Sequence, residues 1–158
     1  MSPQVIELEN LARNYCELVD CLEEGDDTWL NQVASLLPRL HAAVAALNLP
    51  ETTSGHIPIV DLDARFELYT HLRRLLGERD SYWMEFDVAE DGQSMSGSLA
   101  DDLTDIYCEL KNGLRLIDGE PERAVEGWHK GYQMHWGQHL VDAERHLYAL
   151  RARNQLST

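Results

Sequence analysis

Residues 98–118, SLADDLTDIYCELKNGLRLID, decide the fold class of this chain. Apolar side chains recur here every three or four residues, the pattern of an amphipathic helix: Leu99, Leu103, Ile106, Tyr107, Leu110, Leu114 and Ile117. Ser98 and Asp101 have the spacing of a capping box, and Gly119 is typical of a helix end. The stretch therefore predicts a helix from about Leu99 to Asp118.

Four further segments show the same periodicity. They run from Val5 to Leu22, from Asp27 or Thr28 to Leu47, from Asp61 or Asp63 to Gly77, and from Pro121 to Leu150. No stretch alternates apolar and polar residues for long enough to predict a strand. The expected fold is all-α, a single-domain bundle of about five helices with a long C-terminal helix. We expect one domain over residues 1–158, with a helical hairpin in 1–47 and core helices in 61–155.

Two segments are predicted to connect these helices. Residues 48–60 contain two prolines and a glycine, which predict a loop. Residues 78–97 contain Tyr82, Trp83 and Phe86, which we interpret as aromatic anchors in front of a mobile polar loop at 89–94.

The charge of the chain narrows its possible partners. Its 158 residues include 28 Asp and Glu against 13 Lys and Arg, a net charge of −15. That charge opposes contact with phosphates, so we expect neither a nucleic-acid partner nor a membrane partner.

Glu7 and Glu9 disfavour a signal peptide, and no apolar run approaches the roughly 20 residues that cross a bilayer. Together with three cysteines that lack Cys-x-x-Cys spacing, these features favour the cytoplasm.

Histidines and acids follow the apolar stripes of two predicted helices. The last helix carries four of them at spacings of three and four: His135, His139, Asp142 and His146. The fourth helix carries acids at the same spacings: Asp102, Asp105 and Glu109. Facing helices of a bundle can hold a metal ion, and carboxylates mixed with imidazoles suit zinc, manganese or iron. One hypothesis is therefore a metal site made by Asp102, Asp105, His135 and His139, with Asp101, Glu109 and Asp142 as further candidates.

A purely structural interpretation accounts for the same residues. Acids in the first turn of a helix, such as Asp101 and Asp102, complement the helix dipole. His135 and His139 could each hydrogen-bond a facing carboxylate at the edge of the core. The sequence favours this interpretation, because the spacing is permissive and the set of metal ligands is incomplete. The segment from His135 to His139 also lacks the glutamate that zinc peptidases use as a general base.

Three tryptophans suggest a third kind of site. Trp83, Trp128 and Trp136 could line an apolar pocket for a small molecule. Large aromatic residues at helical spacing more often fill the core, and we weigh both interpretations.

Four segments resemble a bacterial family of domains of unknown function, numbered 5063. They are YWMEFD at 82–87, SLADDLTDIY at 98–107, LKNGL at 110–114 and HWGQHLVDA at 135–143. The resemblance covers roughly residues 61–150 and implies an all-helical fold with no known activity. It also implies that six residues form a family signature: Asp101, Asp102, Asp105, His135, His139 and Asp142. A weaker resemblance, to the all-α nucleoside-triphosphate pyrophosphatases, rests on Asp102 with Asp105 and on a second acidic pair, Glu17 with Asp20.

Three hypotheses for the function follow. The leading one is an interaction or regulatory module with an unidentified protein partner, in which the Asp and His residues form a polar cluster between helices. The first alternative is a metal-dependent hydrolase, which could act on nucleotides and would lose activity on chelation. The second alternative is a small-molecule-binding domain with a tryptophan-lined pocket.

Overall fold

The computed structural model describes residues 1–50, 60–87 and 93–157. Its elements, in chain order, are α1 Pro3–Asp20, α2 Trp29–Ala45, α3 Leu62–Leu76, β1 Ser81–Asp87, β2 Gln93–Ser98, α4 Leu99–Leu116, α5 Pro121–Gly131 and α6 Gly137–Ala152. A π-helical turn, Tyr132–Trp136, joins α5 to α6. Counting α5, the π turn and α6 as one C-terminal rod, the described residues form a bundle of five helices, and the predicted all-α class is confirmed.

Helix α4 lies at the centre of the bundle and packs against α1, α3, α5 and α6. The pairing of α1 with α2 is the predicted hairpin, and α2 also packs against α6. The predicted stripe of α4 supplies core residues that are fully buried: Leu99, Leu103, Ile106 and Leu110. The central position of α4 explains how its acidic flank, formed by Asp102, Asp105 and Glu109, comes to face the C-terminal rod.

The segment at 78–97 differs from the prediction, because most of it forms an antiparallel β-hairpin. Tyr82 lies opposite Gly97, and Trp83 lies opposite Ser96. Tyr82 is buried whereas Trp83 is exposed, as expected for successive residues on opposite faces of a strand. Trp83 therefore faces solvent and does not anchor the segment as the sequence suggested. No strand was predicted here, because the alternation of apolar and polar residues is short. The predicted loops at 48–60 and 89–94 lie largely outside the described residues.

The C-terminal rod also differs in detail from the single α-helix that was predicted. The N–H of Gly137 donates to the carbonyl of Tyr132, five residues earlier, where an α-helix would use a residue four positions earlier. This π turn contains His135 and directly precedes the α6 segment that carries His139.

Hydrogen bonds that Ser98 and Asp80 accept define the start of α4. Ser98 is the N-cap, and its hydroxyl accepts the N–H of Asp101 as the capping box predicts. The buried carboxylate of Asp80 accepts the N–H of Ala100 at 2.7 Å and the hydroxyl of Ser98 at 2.9 Å. The carbonyl of Asp80 accepts the N–H of Leu99. Asp80 therefore ties the end of α3 to the helix that carries the acids.

We expect Asp80→Ala to lower the free energy of unfolding by about 2 kcal/mol, because it leaves buried donors at the start of α4 without an acceptor. Urea denaturation followed by circular dichroism measures the change. A loss below about 0.5 kcal/mol, the size usual for an ordinary surface substitution, would contradict the capping role of this carboxylate.

Among the described residues, no helix has the length and apolar character that a membrane span requires.

Candidate metal centre

Four side chains predicted from the sequence meet between α4 and the C-terminal rod. Asp102 and Asp105 come from consecutive turns of α4, His135 from the π turn and His139 from the first turn of α6. Asp102 is almost completely buried, while the other three are partly exposed. The cluster therefore lies at the edge of the core, within reach of solvent.

His139 lies between two carboxylates. Its Nδ1 is 2.8 Å from Oδ1 of Asp102, and its Nε2 is 3.0 Å from Oδ2 of Asp105. Burial alone would lower the pKa of His139, but the hydrogen bonds and charges of the two carboxylates outweigh it and raise the pKa to about 10. Without a metal ion, the ring is therefore an imidazolium at neutral pH, with both nitrogens donating.

His135 has a parallel set of contacts. Its Nδ1 donates to Oε1 of Glu109 at 3.1 Å, and its Nε2 is 3.8 Å from Oδ2 of Asp105. The ring packs edge-on against the ring of His139, with centroids 5.0 Å apart. Glu109, which the sequence suggested as a further candidate ligand, is buried and contacts the cluster through His135.

Arg65 of α3 holds the acidic flank from the other side. Its Nε donates to Oδ1 of Asp105 at 2.9 Å, and one terminal nitrogen donates to Asp101 at 2.7 Å. Burial alone would raise the pKa of Asp105, but His139 and Arg65 hold it at about 2. Sequence reasoning missed Arg65, because its partners lie 36 and 40 residues away and no local pattern links them.

Tyr82 of the hairpin completes the surroundings of Asp102. Its hydroxyl donates to Oδ2 of Asp102 at 2.5 Å. Burial keeps the pKa of Asp102 above its ordinary value, although the hydrogen bonds from His139 and Tyr82 act in the opposite direction. The ring of Tyr82 lies so close to Gly97 that a Cβ there would overlap it, and this close approach brings the hydroxyl to α4.

Two other residues of the predicted stripe have different partners. Asp142 accepts from the side-chain amide of Gln138 at 3.2 Å. His146 donates from Nε2 to the carbonyl of Arg79 at 2.6 Å, and its ring packs on Tyr82. Asp20, from the second acidic pair, accepts from the hydroxyl of Tyr107 at 2.6 Å, so its carboxylate serves a contact between α1 and α4.

The tryptophans do not line a common cavity. Trp83 is 76% exposed, whereas Trp128 and Trp136 are buried in the core. The indole nitrogens of the buried pair donate to backbone carbonyls, Trp128 to Leu110 and Trp136 to Trp128. The hypothesis of a pocket lined by these three residues is therefore wrong, because two of the rings fill the interior and the third faces solvent.

A polar cleft of 370 Å³ opens beside the cluster instead. Its lining includes Asp102, His139 and Asp142, together with Arg73 from α3. The sequence did not predict this cleft, because its walls combine α3, the hairpin, α4 and α6.

The histidines and Asp105 converge in a way that suits a metal ion. The Nε2 atoms of His135 and His139 both face Oδ2 of Asp105, and one ligand atom from each residue lies within 4.8 Å of the others. Ligands about 2.0–2.2 Å from a tetrahedral ion are separated by roughly 3.3–3.6 Å. The observed separations from Oδ2, 3.0 and 3.8 Å, lie on either side of that range.

Fold and site together define a helical-bundle domain with a mixed carboxylate and imidazole cluster between its central and C-terminal helices. The chain belongs to the family described as domain of unknown function DUF5063, whose model matches residues 1–153. The match extends beyond the 61–150 region of the resemblance and includes the N-terminal hairpin.

A solved structure shares the fold. The crystal structure of protein BF1032 from Bacteroides fragilis, a structural-genomics target, superposes with a TM-score of 0.76 at 22% sequence identity. The similarity covers 94% of this chain and 92% of that chain. No curated protein matches the sequence.

Proposed function

We propose that this protein binds one divalent transition-metal ion through Asp105, His135 and His139. The observation that carries the proposal is the convergence of both Nε2 atoms on a single carboxylate oxygen, Oδ2 of Asp105. Two histidines and one carboxylate are a recurrent ligand set for zinc and for non-haem iron.

The surroundings of the two histidines support the proposal. Histidine ligands of metal ions usually donate their second ring nitrogen to a carboxylate or a carbonyl, which orients the ring. Nδ1 of His139 is bonded to Asp102 and Nδ1 of His135 to Glu109, both of them buried. Arg65 bonds Oδ1 of Asp105 and leaves Oδ2 to face the rings. Asp102, which the sequence suggested as a ligand, therefore acts in this proposal as the support of His139.

The number of ligands bears on the chemistry of the bound ion. Three protein ligands leave at least one position for water, as in catalytic zinc sites, whereas structural sites use four protein ligands. His135 is 40% exposed at its side chain, so water can reach the site. A bound ion would lower the pKa of such a water, which makes metal-dependent hydrolysis the reaction class that this proposal favours over a purely structural ion.

Elemental analysis of protein purified without chelator tests the proposal. We expect close to one transition-metal ion per chain in the parent, and less than a tenth of that in the His135→Ala, His139→Ala double variant. The matched control is a His71→Ala, His129→Ala double variant, which also removes two imidazoles but leaves the cluster intact and should retain the metal.

Absence of metal from the parent, even after chelator treatment and incubation with zinc, manganese or iron, would overturn the proposal. The Asp and His residues would then form a self-satisfied polar network, as the hypothesis of an interaction module requires. The search for a function would pass to protein partners.

We also propose that the protein works in the reducing cytoplasm. Support comes from Cys16, Cys21 and Cys108, which are free thiols. Burial raises the pKa of Cys16 to about 12 and also raises that of Cys108, so neither supplies a thiolate nucleophile at neutral pH.

A further inference from the structure

The π turn at Tyr132–Trp136 carries one proposed ligand and adjoins the helix that carries the other. A π turn holds one more residue than the α turn it replaces. If this segment became a regular α-helix, the direction of His135 around the helix axis would change relative to that of His139 by the angle of one residue, roughly 100°. The ring of His135 would then point away from Asp105 and Glu109. The position of His135 in the cluster therefore depends on this turn.

Tyr132, the first residue of the turn, is held at its hydroxyl by a relay of side chains. Nδ1 of His41 lies 2.7 Å from Oε2 of Glu144, and Nε2 of His41 lies 3.1 Å from the hydroxyl of Tyr132. Because a carboxylate only accepts, Nδ1 of His41 donates to Glu144, and Nε2 of His41 shares a hydrogen bond with the Tyr132 hydroxyl. The relay links α2, the π turn and α6.

The backbone and ring of Tyr132 are held as well. Its carbonyl accepts the N–H of Gly137 in the π hydrogen bond. A Cβ on Gly137 would overlap that carbonyl and would lie 3.1 Å from the ring. The ring also packs edge-on against Trp136, with centroids 5.4 Å apart. Hydroxyl, ring and carbonyl are thus fixed by separate neighbours.

We propose that Tyr132, His41 and Glu144 are positioning residues that hold the π turn and so set the spacing of His135 and His139 for a metal ion. This inference rests on the proposed function, because it assigns the relay a role in metal affinity. None of the three side chains belongs to the ligand set or to the carboxylates that orient it.

Cobalt titration of chelator-treated protein tests the inference, because Co²⁺ reports its ligand geometry through visible absorption. Tyr132→Phe removes only the hydroxyl that His41 holds. We expect it to weaken Co²⁺ binding about 10-fold, the lower end of the effect of removing an orienting partner, and to shift the absorption bands. Tyr107→Phe is the matched control: it removes a tyrosine hydroxyl bonded to Asp20 and should leave affinity and spectrum unchanged.

The outcomes separate this inference from the proposed function. Failure of the parent to bind Co²⁺ and also zinc, manganese and iron would overturn the proposed function, and the inference with it. Tight binding by the parent, with the same affinity and spectrum in Tyr132→Phe, would overturn the inference alone, even if the variant melts at a lower temperature. Should Tyr132→Phe fail to fold, Glu144→Gln, which keeps the shape of its side chain, decides by the same titration.

Discussion

Replacing Gly113 by alanine is expected to lower the free energy of unfolding by about 3 kcal/mol or more. A Cβ at this position of α4 would overlap Nε1 and Cε2 of the Trp128 indole. That ring is buried, and its N–H donates to the carbonyl of Leu110 at 3.2 Å, so moving it would disturb both the core and this hydrogen bond. Overpacking a core costs about 1–3 kcal/mol, and loss of a buried hydrogen bond adds about 1–3 kcal/mol.

Gly127→Ala supplies the matched control for this substitution. Gly127 also lies inside a helix, but nothing lies within 4 Å of the Cβ that alanine would add. Its replacement should stabilise the protein by about 0.5–1 kcal/mol through helix propensity alone. Denaturant unfolding of the parent and both variants measures the difference. Equal effects of the two substitutions would show that Trp128 does not pack against Gly113.

Asp105→Asn is expected to have the second large effect, on both metal content and stability. The substitution removes the negative charge that faces His139 and Arg65. Breaking a fully buried ion pair costs about 3–5 kcal/mol. Because the three side chains are 13–26% exposed, we expect about 2–3 kcal/mol here. Metal content should fall below a tenth of the parent value, since a proposed ligand is lost.

Asp118→Asn is the control for the loss of a carboxylate. Its side chain is 96% exposed and lies 3.9 Å from Arg13, so we expect an unchanged melting temperature and full metal content. Retention of metal by Asp105→Asn at the parent level would rule out Asp105 as a ligand.

The pH dependence of stability in the metal-stripped parent tests the same contacts. The pKa of His139 is raised from 6.5 to about 10, so its contribution is complete below pH 6.5 and is lost as the pH rises toward 10. The pKa of Asp105 is lowered from 3.8 to about 2, so its contribution is complete above pH 3.8 and is lost as the pH falls toward 2. We expect Asp105→Asn to reduce both losses of stability, the one above pH 6.5 and the one below pH 3.8.

The helices and the acidic and histidine stripes could be predicted because they depend on local spacing. The periodicity in residues 98–118 predicted α4, its Ser98 cap and its buried face. The pairing of α4 acids with the two histidines also followed, because helices that share a core bring corresponding flanks together. These inferences need only the 3.6-residue repeat and the burial of apolar stripes.

The hairpin and the partners of individual side chains in the cluster could not be predicted in the same way. Tyr82 reaches Asp102 only because β1 and β2 pair with each other, in a segment that the sequence predicted to be a connection without strands. Which oxygen of Asp105 faces the rings depends on Arg65, a residue of another helix.

The sequence by itself determined the helical class, the extent of each helix to within a few residues and the residue types of the cluster, because hydrophobic periodicity and capping act over one or two turns. Only the tertiary structure decided that Asp102 and Glu109 support the histidines, that Trp128 and Trp136 fill the core, and that a π turn interrupts the last helix. Those outcomes depend on hydrogen bonds and packing between side chains distant in the chain, such as His41 with Tyr132 and Arg65 with Asp105.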